Sequence, residues 1–170
     1  AVPDMNTLSL EQIIKKAKDV KGILDGHGLT AEFVAPRLWE DARTIDGGYT
    51  SNDPECRKYA IDRSKRAIDI ANAMGIDLLV LWLAREGSYI RESKDSKVAT
   101  ERIIYAINQM LEYDSKIRVC VEPKPNEPMD HAYIPTTGHA VALSMLCTDP
   151  KRVGVNIESA HAILAGLDPS

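Results

Sequence analysis

The sequence has 170 residues, 44% hydrophobic and 27% charged, with a formal net charge of −4. That is the make-up of an ordinary soluble globular domain with room for one core, and its acidic balance argues against a nucleic-acid or anionic-membrane surface, either of which favours a basic face. No run approaches ~18 apolar residues, and the start lacks a charged-then-apolar leader, so neither a membrane span nor a signal peptide is expected and a cytoplasmic setting is.

In chain order, Ser9 is placed to cap a helix with Gln12 in the reciprocal position, and Ile13, Ala17, Val20 and Leu24 recur at helical spacing until Gly26 or Gly28 stops it. A strand is predicted over Thr30–Ala35, then a long loop from Pro36 to Asn52 that contains Gly47-Gly48. No Lys-Ser or Lys-Thr pair follows those glycines, so they do not read as a phosphate cradle. Asp53 with Pro54 opens a second helix whose buried face is Ala60, Ile61, Ala67, Ile68, Ala71 and Met74, and Gly75 ends it. The run Asp77–Leu83 is apolar almost throughout, as a parallel strand covered on both faces should be.

A loop from Ala84 to about Asp95 leads to a third helix with Ile103, Ile107 and Met110 on one side and Ile104 and Leu111 beside them, followed by a strand over Ile117–Glu122. After the proline-rich loop Pro123–Pro135, a fourth helix is predicted near Thr137–Cys147, a strand over Val153–Ile157, and the start of a helix at His161–Gly166. Cys56, Cys120 and Cys147 are odd in number and widely spaced, which suits reduced thiols better than a disulfide framework or a zinc site.

Alternating helices and apolar strands indicate an α/β fold with a parallel sheet, either a barrel or a doubly wound sheet. Polar residues gather just after the strands: Arg85-Glu86, Glu122-Pro-Lys124, and Glu158 with His161. In a (β/α)8 barrel that rim carries the active site. By alternation, Val80 with Trp82, Cys120 with Glu122, and Asn156 with Glu158 would share the inward-facing set. Two strand ends thus present Glu122, Glu158 and His161, oxygen and imidazole donors suited to a divalent ion of the magnesium, manganese or cobalt sort, with Lys124 as a nearby cation.

Six segments taken in order, Asp46-Gly-Gly-Tyr-Thr-Ser-Asn-Asp53 with Arg57-Lys-Tyr-Ala60, Trp82-Leu-Ala-Arg-Glu-Gly87, Glu122-Pro-Lys-Pro-Asn-Glu-Pro128, Pro135-Thr-Thr-Gly-His-Ala140, Gly154-Val-Asn-Ile-Glu158 and His161 through Leu167, resemble the xylose isomerase family over roughly Thr30 to Leu167. The resemblance decides for the TIM barrel, with residues 1–170 as a single partial domain of about four strand-helix units that match the third to sixth strands. A complete barrel needs eight strands. The chain is therefore expected to be a fragment of a longer protein or to associate, as a homo-oligomer or through its open edges, with another copy or another protein.

The resemblance further implies an aldose–ketose isomerase acting on a monosaccharide with two divalent metal ions, of which Glu122 binds the first, Glu158 bridges both and His161 binds the second. Lys124 would hydrogen-bond the carbonyl oxygen as its charge develops. Trp82 and Trp39 would form an apolar wall that keeps water from the hydride path. The family's remaining metal-binding aspartates and its ring-opening histidine and aspartate have no counterpart here, and Leu83-Ala84 stands where glycines usually follow the tryptophan. The alternatives are a sugar epimerase of the same superfamily and a catalytically silent half-barrel that survives as an assembly partner.

Overall fold

Capping decides where the helices begin and end. The computed structural model describes residues 5–169, with α1 (Leu10–Gly26), α2 (Pro54–Met74), β1 (Leu78–Trp82), α3 (Ser96–Tyr113), β2 (Arg118–Glu122), α4 (Thr137–Ser144), β3 (Val153–Val155) and α5 (Ser159–Leu164). Ser9 and Gln12 form the expected reciprocal cap on α1. Asp53 caps α2 with Pro54 in the first turn, and Gly75, in the left-handed region, closes it by donating to Ala71 and Asn72. Asp95 caps α3. Only Ile13 and Ala17 are buried on α1, where they meet Met5 and Ile70. Val20, expected to be buried, is 42% exposed, because that contact ends in the first half of the helix.

The three strands pair in sequence order, all parallel. Leu79 and Leu81 on β1, with Val119 and Val121 on β2, are fully buried and share one core with Ile68, Ile103, Ile107 and Met110 from α2 and α3. On the other face of β2, Cys120 and Glu122 are only half-buried. This alternation gives an arc of a TIM barrel, with helices outside and the polar alternate positions inside.

Two predicted strands are shorter than expected. Thr30–Ala35 is reduced to a single parallel bridge, with Val34 N–H donating to Leu78 O at 3.0 Å and Val80 N–H donating to Val34 O at 2.9 Å. Pro36 has no N–H to continue a ladder, and Arg37 turns the chain through the left-handed region. Val153–Ile157 stops at Val155, with one further ladder bond from Asn156 N–H to Val121 O at 2.9 Å. Beyond it Ile157 is exposed and Glu158 already caps α5. The four expected strands are thus three strands and a bridge.

Candidate active site

The carboxyl ends of β1 and β2 lie side by side because Trp82 and Glu122 are register partners. The Trp82 ring meets Trp39, carried on the 3-10 turn Leu38–Glu40, edge to face with centroids 4.7 Å apart. Lys124 Nζ stands 5.2 Å from the centre of the Trp82 ring. Its nearest anion is Glu127, 3.8 Å away and largely exposed, so that pair is weak.

Glu122 is held from the opposite side. Asn156 Nδ2 donates to Glu122 Oε2 at 2.8 Å. His161, from the first turn of α5, brings Nδ1 to 3.6 Å from Glu122 Oε1, with side chains 14% and 17% exposed. At that distance no hydrogen bond forms, and His161 Nδ1 is buried without a partner. A carboxylate oxygen and an orphaned imidazole nitrogen facing each other are two donors of the kind a divalent cation takes.

Of the sequence-predicted residues, the structure thus gathers Glu122, Lys124, Trp82, Trp39 and His161 at one rim. Glu158 is not gathered with them: it is exposed, and its Oε1 accepts from Ala160 N–H at 3.3 Å as the N-cap of α5. The strand ladder ends at Asn156, so the alternation that would turn Glu158 inward no longer operates. Among the described residues, no three His, Cys, Asp or Glu side chains form a group that could hold a metal ion.

Two further residues organise this rim. Asn156 follows from the same alternation as Glu122. Glu86, read from sequence only as a polar residue after a strand, is 3% exposed and accepts four hydrogen bonds. Gly48 N–H (2.9 Å) and Tyr49 N–H (3.1 Å) reach Oε1, while Thr50 N–H (2.9 Å) and Thr50 Oγ1 (2.6 Å) reach Oε2. Gly47, at φ +87°, makes the turn possible, and a Cβ there would lie 2.5 Å from Thr50 Oγ1. Tyr49 donates to or accepts from Ser64 at 2.7 Å, and burial pushes its phenol far above the usual range. Buried Lys94 ties the same loop down through Asp46 and Gly87 O. Tyr49 and Glu86 of this cradle line a small cleft together with Trp39, Trp82 and Arg85.

A family model described as xylose isomerase-like TIM barrel matches residues 3–170. Among solved structures, protein SMc04130 from Sinorhizobium meliloti 1021 is 26% identical with a TM-score of 0.56, over 87% of this chain and 58% of its own. The 3-keto-D-glucoside 4-epimerase YcjR from E. coli is 15% identical with a TM-score of 0.70, over 92% of this chain and 58% of its own. A D-psicose 3-epimerase from Clostridium cellulolyticum H10 is 18% identical with a TM-score of 0.67, over 98% of this chain and 53% of its own. At these lengths the chain spans little more than half of each, and the likeness to the two epimerases is one of fold.

Proposed function

The chain belongs to the xylose isomerase-like TIM barrel family, and on that premise we propose that it supplies the central part of the active site of a divalent-metal-dependent sugar isomerase, one that interconverts an aldose and a ketose by hydride shift. The observation that carries this reading is the rim cluster: Glu122 and His161 facing each other beside Lys124 and two tryptophans in edge-to-face contact. Glu122 and His161 would hold the ion; Glu158, the further ligand proposed from sequence, stands outside their cluster as the N-cap of α5. When bound, the ion supplies Lewis-acid polarisation of the sugar oxygens. Lys124, poised over Trp82, donates to the carbonyl oxygen as negative charge develops on it. Trp39 and Trp82 cover an apolar face of the sugar and exclude water from the migrating hydrogen.

Epimerisation is the second reading, favoured by two epimerases of the same fold. The two chemistries differ in where hydrogen goes. A hydride shift keeps the substrate's own hydrogen, whereas proton abstraction and return at carbon takes hydrogen from solvent.

The test uses the full-length protein loaded with Mn2+, offered aldoses in D2O. A ketose formed without deuterium at carbon is the expected result; a sugar inverted at one carbon and carrying deuterium there would replace the isomerase reading by the epimerase one, and deuterium at carbon in a ketose product would replace the hydride shift by proton transfer. Loss of an outer partner of a metal ligand typically costs about 10–100-fold, so Glu122→Gln should lower kcat/KM by at least about 100-fold. Absence of Mn2+ binding by the full-length protein would favour the assembly-partner reading.

A further inference from the structure

Resting on the proposed metal site, we propose that Asn156 is a positioning residue for Glu122: its carboxamide fixes the rotamer and the plane of the carboxylate so that one oxygen stays turned towards His161, and so sets the affinity of the site for a divalent cation. Three observations meet at this residue. Its backbone N–H donates to Val121 O at 2.9 Å, so the ladder of β2 and β3 continues for one residue past β3 and fixes Asn156 beside Glu122. Its side chain lies on the same face of the sheet as Glu122, where Nδ2 donates to Oε2 at 2.8 Å. The other carboxylate oxygen, Oε1, is thereby the one turned towards the buried, unpartnered Nδ1 of His161 at 3.6 Å.

The chemistry of the amide suits this work. The final torsion of a glutamate is broad, so the plane of an unrestrained carboxylate turns freely and its lone pairs point in no fixed direction. A donor at 2.8 Å removes that freedom. The amide nitrogen faces the carboxylate because the amide oxygen there would set two acceptors against each other. Being neutral, the carboxamide orients Glu122 without neutralising it, leaving the full negative charge for a cation, whereas an arginine or lysine in its place would compete with that cation. Trp82 closes the β1 side of Glu122 by register, and Asn156 closes the β3 side. Ligands held this way on strands rather than loops keep their geometry between turnovers.

The experiment titrates MnCl2 into the full-length protein and into Asn156→Ala, with the dissociation constant read by calorimetry, the Mn2+ signal by electron paramagnetic resonance, and the Glu122 conformation in a crystal structure of the metal-free variant. The expected result is weakening of Mn2+ binding by about 10-fold or more, an altered Mn2+ signal, and Glu122 in more than one rotamer, with circular dichroism unchanged. Asn156→Ser, which keeps a polar side chain but cannot reach Oε2, should behave the same way and replaces the alanine variant if that fails to fold. Equal affinity in native protein and variant, with Glu122 in its native rotamer, overturns the inference while leaving the metal site standing. A native protein that takes up no Mn2+ overturns the metal reading, and with it this one.

Discussion

Glu86 is the residue whose removal the fold should feel most sharply. A buried carboxylate is tolerated only when donors replace its hydration, and here three consecutive residues, Gly48, Tyr49 and Thr50, supply four of them. In Glu86→Gln one oxygen becomes an NH2 group, which sets donors against donors at either end of the carboxylate. Urea denaturation should therefore report a loss of about 2–4 kcal/mol, the range for orphaning buried donors of a charged acceptor; a loss below about 0.5 kcal/mol would mean the cradle holds without the charge. Sequence reading found both halves of this arrangement, Gly47-Gly48 as a loop and Glu86 as a polar residue after a strand. It could not join them, because the partners lie 36 to 38 positions apart and no local rule spans that distance. Glu122 was legible for the opposite reason: it ends a β-branched strand, so the pleat fixes its direction. The thiols behave as packing groups. Burial pushes Cys147 up to about 11 and raises Cys56 and Cys120 as well. At pH 8 iodoacetamide should accordingly modify all three more slowly than a free cysteine, and a rate at or above that of the free thiol at Cys120 would assign it a reactive role.

At the scale of elements, the ends of α1 and α2 and of the two central strands were legible, whereas the ends of the first and last strands and of α4 and α5 were not. Ser9 with Gln12, Asp53 with Pro54, and Gly75 are local signals whose hydrogen bonds form within one turn of the chain. A strand instead ends where its neighbour's ladder ends, and Val34 loses its partners as soon as Pro36 and Arg37 redirect the backbone. The connection from α3 to β2 depends on Asp114, whose carboxylate accepts from Lys116 N–H (2.7 Å), Ile117 N–H (3.0 Å) and Asn72 Nδ2 (2.7 Å). Partial burial alone would raise its pKa, but these donors outweigh it and hold the carboxyl below the ordinary aspartate value. A carboxyl depressed in the folded state adds stability that is complete above its unfolded pKa, about 3.9, and is lost as pH falls through the folded value. Urea denaturation of Asp114→Asn should therefore show its largest deficit against the native protein at neutral pH. The deficit should shrink below about pH 4; one that stays constant to pH 2 would remove Asp114 from the acid dependence.

Across the whole molecule, stability should be graded from the middle of the sheet outward, and the candidate site straddles that gradient. β2 is flanked by β1 and β3, and its Val119 and Val121 are fully buried, so its amides should open only with global unfolding. At the other extreme stands α5, six residues long with none buried, its Ile163 63% exposed, its N-terminus capped by an exposed glutamate. Isolated helices shorter than about 12–15 residues are marginal in water, so α5 should fray on its own. His161 rides on this helix while Glu122 sits on β2, and the pair is therefore assembled from the most and the least stable parts of the described chain. Hydrogen exchange followed by mass spectrometry should find β2 peptides slowest and α5 peptides near the unfolded rate in the metal-free 170-residue chain. A magnesium-type ion wants about six donors, and this chain offers a fraction of them, so Mn2+ should protect α5 little in the isolated chain and strongly where further residues or a partner supply the remaining donors. Protection of α5 equal to that of β2 without metal would show that His161 is already fixed, and the affinity of the site would then have to be sought in Glu122 and its partner Asn156 alone.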